Sequence, residues 1–332
     1  LDSLYEKKLV LLSQKLGKMH GVTTNIRFWR IIIGPWLRFF IDSVFDRYEN
    51  VRSLKRLHKI ENTSILQYKL SDWAPSNFAC FYKQFTSDAW NHVIFSECIK
   101  DIDLPFVEAD ITLEKTKEEQ LSFKDKLINK VLLFINKLTP SFLNKIVIVA
   151  PYIGIGKLFK WQLQLGQMPF LSREQSFDFP KKIDTAKRFL LKDDNVKDGY
   201  ERLLDRLIVN LIPLNYVENF DIFYKKSLVC YPKKPSVIYT ANAYQANDSF
   251  KFWLAHHADN KIPFVLGQHG GNMGIARVNQ TEDHQIKIAD VYFSWGWSDA
   301  KKVNIKPFPT PQLDKIQPKY KQSGDIIMAI SD

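Results

Sequence analysis

Four short runs of apolar, β-prone residues in the second half of the chain constrain its fold most strongly. They occupy residues 146–150, 236–241, 263–267 and 290–294. Between them, helical spacing of apolar residues covers 157–165, 199–212 and 248–259. Because parallel strands can be joined only by a crossover, which usually contains a helix, this alternation predicts a parallel, doubly wound, Rossmann-like α/β sheet.

The first 140 residues carry a pattern that is typical of helices. Apolar residues three and four positions apart predict four helices there, over residues 3–20, 24–33, 36–57 and 88–99. Gly34-Pro35 is expected to break the second helix from the third. Residues 105–113 predict a strand, and residues 114–145 predict a helix with a polar entry (Glu114 to Gln120) that ends near Pro140.

The last 32 residues differ from the rest of the chain. Residues 301–324 contain four prolines and no periodicity, which predicts an interdomain linker, and the run after them resembles the first strand of another α/β unit. Because a lone strand cannot bury its faces, we expect a fragment whose second Rossmann-like domain is largely missing. Residues 1–300 would form the N-terminal domain, helical over 1–140 and α/β over 141–300, and residues 325–332 would begin the truncated C-terminal domain.

Charge and cysteine content exclude several classes of protein. The chain has 47 basic and 36 acidic residues, a net charge of +11. Residues 241–300, which are richest in motifs, carry only 4 basic and 6 acidic side chains, so we expect no nucleic-acid partner.

The three cysteines, Cys80, Cys98 and Cys230, have no short spacing. This excludes a disulfide framework and a cysteine-based zinc site, and it points to the cytoplasm.

One apolar stretch, residues 28–45, raises the question of membrane contact. It contains Arg30, Arg38 and Asp42, each of which costs about 2.5–3.5 kcal/mol at the centre of a bilayer, so we expect no spanning helix. Two interpretations remain. The stretch forms core helices, or it contacts the inner face of the cytoplasmic membrane, helped by the 12 basic and 5 acidic residues among the first sixty.

The strongest functional signal is the segment Gly267-Gln268-His269-Gly270-Gly271-Asn272, which directly follows a predicted strand. Ligand crevices of parallel α/β sheets lie at the carboxyl ends of strands. Glycines let backbone N–H groups approach an anionic ligand, and an imidazole can act as a base or as a phosphate-binding donor. We therefore predict that His269 is catalytic and that Gln268, Gly270, Gly271 and Asn272 surround substrate. A glycine-rich turn with an ordinary surface histidine is the alternative.

Other polar residues near strand ends are expected to face the same crevice. Asn242 follows one predicted strand, and Trp295 closes another, where its indole face would stack on a sugar or base. Arg277 and His284 follow the glycine turn and would bind a substrate phosphate and orient His269. The alternatives are that Asn242 is an ordinary turn residue and that Trp295 packs in the core. Arg277 and His284 would then belong to a solvated helix start.

A second group of candidate residues lies in the helical part. Asp88, Asn91 and His92 stand at positions i, i+3 and i+4, so all three project from one helix face. A carboxylate and an imidazole on one face can act as nucleophile or base, which makes Asp88 a second catalytic candidate. Local pairing of Asp88 with His92 is the alternative. The sequence shows no convincing metal-binding constellation.

Several of these motifs together resemble those of a family of bacterial transferases encoded with surface-carbohydrate genes. The residues that carry the resemblance are His20-Gly21, Arg27 to Ile31, Gly34 to Trp36, Asp88 to His92, Tyr239 to Ala243, Gly267 to Gly271, Glu282 to His284 and Ser294 to Trp297. That family looks like GT-B glycosyltransferases, in which two Rossmann-like domains face each other across a cleft. More distantly, the strand followed by His-Gly is similar to Kdo transferases and to teichoic-acid glycerophosphotransferases. In the latter, the equivalent of His269 acts as a base.

The resemblance implies a metal-independent glycosyltransferase without a cofactor. It would move a sugar from a nucleotide-sugar donor to a cell-surface polysaccharide or a lipid-linked acceptor, in the cytoplasm or at the inner face of its membrane. GT-B clefts use side chains, backbone amides and helix N-termini to offset the charge of the leaving phosphate. Two alternatives remain: transfer of glycerol phosphate in polymer assembly, and a non-catalytic protein that binds carbohydrate or a membrane surface.

Overall fold

The computed structural model consists of a helical first part and a parallel sheet with its crossover helices. It describes residues 1–114, 122–170, 175, 177, 179–180, 182–196 and 199–310. The helices are α1 (Asp2–His20), α2 (Ile26–Leu57), α3 (Phe78–Gln84), α4 (Asp88–Ile102), α5 (Phe123–Leu138), α6 (Ile155–Gln164), α7 (Thr185–Phe189), α8 (Gly199–Leu211), α9 (Phe220–Ser227), α10 (Ala243–Ala246), α11 (Asp248–Asp259) and α12 (Gln280–Ile288). The strands are β1 (Ser64–Gln67), β2 (Val107–Thr112), β3 (Ile146–Val149), β4 (Val237–Thr240), β5 (Phe264–Gly267), β6 (Val291–Ser294) and β7 (Ile305–Pro307).

Five parallel strands form the main sheet, in the order β3-β4-β5-β6-β7. The register places Tyr239 beside Val265 and Leu266 beside Tyr292. The Rossmann-like α/β class and all four predicted strands of this region are confirmed. The strand order follows the chain without a reversal, so among the described strands the predicted double winding is not found.

Helices cover one face of this sheet. Ile238, Leu266 and Tyr292 are completely buried, whereas Tyr239 and Val265, which point the other way, are half-buried. Right-handed crossovers between strands that are neighbours in both chain and space place their helices on the same face. On that side α11 packs against α9, and α2 packs across α11 and α12. The helical part of the chain thus completes the core of the sheet.

The long helix α2 is continuous, and the predicted break at Gly34-Pro35 is wrong. Packing against α1, α4, α11 and α12 holds together a helix that a proline by itself would interrupt. Gly34 lies where the helices α1, α2 and α12 approach each other closely. A Cβ there would lie 2.8 Å from Cε1 of His284 in α12 and 2.9 Å from the hydroxyl of Tyr5 in α1.

Residues 28–45, for which membrane contact is one interpretation, belong to the protein core. Trp29, Trp36 and Phe40 are completely buried, and Arg30 forms an ion pair with Glu6 at 2.7 Å. Membrane contact through this stretch is therefore wrong, and the core interpretation is confirmed apart from the break. Over the described ranges, no helix is both long enough and apolar enough to cross a bilayer.

Two regions differ from the predicted elements or fall outside the description. The predicted strand at 105–113 is confirmed as β2, which pairs in parallel with β1, a strand the sequence pattern does not predict. β7 lies within the stretch expected to be a linker and pairs with β6. Most of the polar entry expected before α5 lies outside the described residues, as do residues 311–332 with their predicted strand.

Candidate functional site

The carboxyl ends of β3, β4, β5 and β6 meet at one edge of the sheet, because the strands are parallel and in register. The loops that leave them carry Tyr152, Asn242, His269 and Trp295 respectively. This is the edge at which open α/β sheets bind ligands. Four of the chain's loops are thereby brought to one place.

His269 follows β5, a strand with a neighbour on each side. Its side chain is half-buried, and its Nδ1 atom has no hydrogen-bond partner among the described residues. Burial lowers the pKa of the imidazole below its usual 6.5, although the nearby Ala241 carbonyl acts in the opposite direction. The ring is consequently mostly neutral at neutral pH, and its unpaired Nδ1, which is buried in this structure, is the atom that can accept a proton.

Two tyrosines flank His269, and neither was suggested by the sequence pattern. The ring centre of Tyr152 lies 5.8 Å from that of His269, and the ring centre of Tyr244 lies 6.3 Å away. Tyr152 is exposed and has a positive φ of 62°, and Ala150 has a φ of 45°. Such strained residues cluster at functional sites. The loop after β3 is therefore part of the candidate site, beside the predicted base.

Gln268 connects two of these loops. Its Nε2 donates to the Gly270 carbonyl at 2.7 Å, and its Oε1 accepts from the Trp295 N–H at 2.8 Å and from Trp297 Nε1 at 2.9 Å. Both ends of the buried amide are thus already hydrogen-bonded within the protein. Gln268 positions the loops after β5 and β6, which differs from the predicted contact with substrate.

The glycines after His269 leave their backbone open toward solvent. A Cβ on Gly271 would meet nothing within 4 Å, and one on Gly270 would lie 3.3 Å from Oδ1 of Asn272. Asn272 and Arg277 are exposed in the same loop. These residues are where the sequence placed them, on the segment that follows β5, and they remain candidates for contact with an anionic group.

Asn242 and Trp295 lie on the neighbouring strand ends. Asn242 is the residue before α10, is half-buried, and makes no side-chain capping hydrogen bond. Trp295 is half-buried and lines a narrow groove together with Tyr239, Phe293 and Phe308. Both remain candidates for contact with substrate at this edge.

His284 is placed in the core, which differs from its predicted contact with substrate. Neither ring nitrogen has a hydrogen-bond partner among the described residues, and burial lowers the pKa of the ring to about 3. Its ring stacks on Tyr244 with the centres 5.9 Å apart, and Tyr244 in turn approaches His269. His284 therefore supports the wall behind the site as a neutral, buried side chain.

The second group of candidates is not brought to this edge. Asp88 is exposed at the start of α4, a helix that packs against α2, α8 and β1. Asn91 accepts hydrogen bonds from Arg47 at 2.9 and 3.0 Å, and His92 Nε2 accepts one from the Leu66 N–H at 2.9 Å. The partners of Asn91 and His92 thus lie in the helical part, where both side chains have structural roles.

No cluster of three or more His, Cys, Asp or Glu side chains that could hold a metal ion is found in the described parts of the chain. The site at the sheet edge is made instead of one imidazole, aromatic rings, backbone amides, amide side chains and Arg277. These groups can accept a proton, stack on a ring and stabilise an anion.

Comparison with known proteins assigns the family. A family model described as LIC12162 family transferase matches residues 1–332. The chain belongs to the LIC12162 family of transferases. No curated protein and no solved structure matches it. Membership of the LIC12162 family makes the protein a transferase, and the sheet edge around His269 is its candidate active site.

Proposed function

We propose that the protein is a glycosyltransferase that moves a sugar from a nucleotide-sugar donor to a cell-surface polysaccharide or a lipid-linked acceptor, in the cytoplasm or at the inner face of its membrane. The observation that carries the proposal is the neutral, half-buried His269 at the carboxyl end of β5, beside exposed glycine backbone. Membership of a transferase family supports it, as does the resemblance of the sequence motifs to GT-B enzymes.

In the proposed reaction, His269 accepts the proton of an acceptor hydroxyl while the oxygen attacks the anomeric carbon of the donor sugar. The bond from that carbon to the donor phosphate breaks, and the nucleotide leaves with the bonding electron pair. Backbone amides of Gly270 and Gly271, together with Arg277, would offset the charge that develops on the leaving phosphate. Asn242 and Trp295 would contact the sugar or base, and Tyr152 would cover the ring of His269. The proposal assigns no step to a metal or a cofactor.

Transfer of glycerol phosphate is the second candidate, because it uses the same base and the same glycine backbone. The attacked atom would then be a phosphorus atom, and the leaving group would again be a nucleotide. The teichoic-acid resemblance belongs to this second candidate, and the Kdo resemblance belongs to the proposed sugar transfer. A purely membrane-binding role for the first helices has lost its support, because α2 is buried.

A thermal-shift panel on the full-length protein tests the proposal. UDP-, GDP-, ADP- and CMP-sugars are compared with the free sugars. Ligand at about 100 times its Kd stabilises a protein by about 2.7 kcal/mol, so one nucleotide class should raise Tm by several degrees while the free sugars do not. A CDP-glycerol arm identifies the second candidate. If no nucleotide compound raises Tm, neither form of nucleotide-dependent transfer holds.

A further inference from the structure

Helix α5 carries an apolar face that points away from the rest of the protein. Five of its large apolar side chains are 44–66% exposed, namely Leu127, Val131, Phe134, Ile135 and Leu138. Because successive helical residues are about 100° apart, these five fall within a sector of about 100° around the helix axis. Phe142, just beyond the helix, is exposed as well. We call these six residues the α5 surface.

The opposite side of α5 is mixed and faces the protein, because Leu132 and Leu133 are half-buried there beside polar residues and Leu133 packs against the core. Asn129 is 8% exposed, and Asn136 is half-buried. A surface helix of a globular protein normally buries its apolar side and exposes its polar side. The helix α5 therefore packs some of its leucines inward and still leaves a second apolar face exposed, which fits a helix that binds a further apolar partner with that face.

Basic residues surround the α5 surface. Residues 123–168 contain seven lysines and one aspartate as their only charged residues, a net charge of +6 out of +11 for the whole chain. Lys124 and Lys130 are exposed on the helix itself, and Lys160 is exposed on α6. The surface thus combines apolar side chains with lysines, the composition that binds a membrane containing anionic lipids.

The next helix, α6, also carries exposed apolar residues. Ile155 and Leu163 of α6 are exposed, as is Met168 beyond it. The Met168 N–H donates to the Leu143 carbonyl at 3.0 Å, which ties the end of this segment to the turn after α5. Two successive exposed apolar segments are therefore held together at one end.

We propose that the α5 surface docks on an anionic lipid bilayer, with its apolar side chains in the headgroup region and its lysines on the anionic headgroups. The loop that carries Tyr152 beside His269 lies between α5 and α6 in the chain. A docked protein would lie at the surface where a lipid-linked acceptor is found. This last consequence rests on the proposed function, whereas bilayer binding does not.

Co-sedimentation of the full-length protein with vesicles tests the proposal. Phosphatidylglycerol–phosphatidylcholine vesicles are compared with pure phosphatidylcholine, at about 0.1 M and about 1 M salt, where the Debye length falls from about 10 Å to about 3 Å. We expect binding to the anionic vesicles that weakens with salt. Phe134→Glu should lower the partition coefficient by about tenfold or more, because it removes apolar contact and adds a repelled charge.

Leu57→Glu is the matched control, because Leu57 is 67% exposed at the end of α2 while Phe134 is 63% exposed. The control should bind like the wild type. Equal binding by Phe134→Glu, or no binding by the wild type, would overturn the proposal. So would a wild-type dimer that Phe134→Glu dissociates, since the face would then be a self-interface. Vesicle binding requires no transfer, so a binding but inactive protein would contradict only the proposed function.

Discussion

Replacing His269 with glutamine is expected to lower the rate of sugar transfer by about 10²–10⁴-fold, the usual contribution of a general base. Glutamine keeps a polar side chain of similar reach but cannot accept a proton from a hydroxyl. The side chain is only half-buried and its Nδ1 atom is unpaired, so the fold should tolerate the change. The measurement is release of nucleotide from the donor that the thermal-shift panel identifies, with acceptor present.

His256→Gln is the control for the loss of an imidazole as such. His256 is also half-buried, but it lies on α11, where its Nδ1 is hydrogen-bonded to the Tyr224 hydroxyl at 2.7 Å. This variant should keep near-wild-type turnover, and donor binding should survive in both variants. Near-wild-type turnover by His269→Gln would remove His269 from the proposed role.

Replacing Arg188 with methionine is expected to lower the free energy of unfolding by about 3–5 kcal/mol, the usual cost of breaking a buried ion pair. Arg188 in α7 is 2% exposed, and its guanidinium donates to Glu218 at 2.6 and 2.9 Å. It also donates to the carbonyls of Asn210 and Ile212 at 2.9 Å, where α8 ends. Methionine would leave a buried carboxylate and helix-terminal carbonyls without these donors.

Urea unfolding measures this effect, and two further variants locate its cause. Arg52→Met removes an exposed pair with Glu49 and should cost less than about 1 kcal/mol. Adding Glu218→Gln to Arg188→Met should recover part of the loss, because no buried charge then remains unpaired. If Arg188→Met costs no more than Arg52→Met, the buried guanidinium does not hold α7 to Glu218 and the end of α8.

The sheet was predictable because its strands are short, β-branched and separated by helical patterns. The remaining elements depend on contacts that are distant in sequence. β1 (SILQ) and β7 (IKP) lack the continuous apolar, β-prone run of the predicted strands, and each is defined by its partner strand. Gly34-Pro35 is locally a helix breaker, yet packing against α1, α4, α11 and α12 decides the conformation of α2.

The candidate site was predictable only in its position. Glycines and a histidine after a buried strand locate it, but the sequence does not show which polar side chains turn inward. The Gln268 side chain is hydrogen-bonded within the protein because the loop after β6 brings the Trp295 N–H and the Trp297 indole N–H to its Oε1. His284 is buried because α2 and α1 close over it. The positive φ of Tyr152 sets the path of the loop that carries its ring beside His269. No residue pattern predicts that conformation.

The pH dependence of kcat/KM tests most directly whether His269 is the base. Burial lowers the pKa of His269 below 6.5, so the reactive, unprotonated form predominates at neutral pH and is lost as pH falls. We predict that kcat/KM rises with pH to a plateau through one apparent pKa below 6.5, and that His269→Gln lacks this acidic limb. The same acidic limb in His269→Gln, or a wild-type profile without it, would contradict the account.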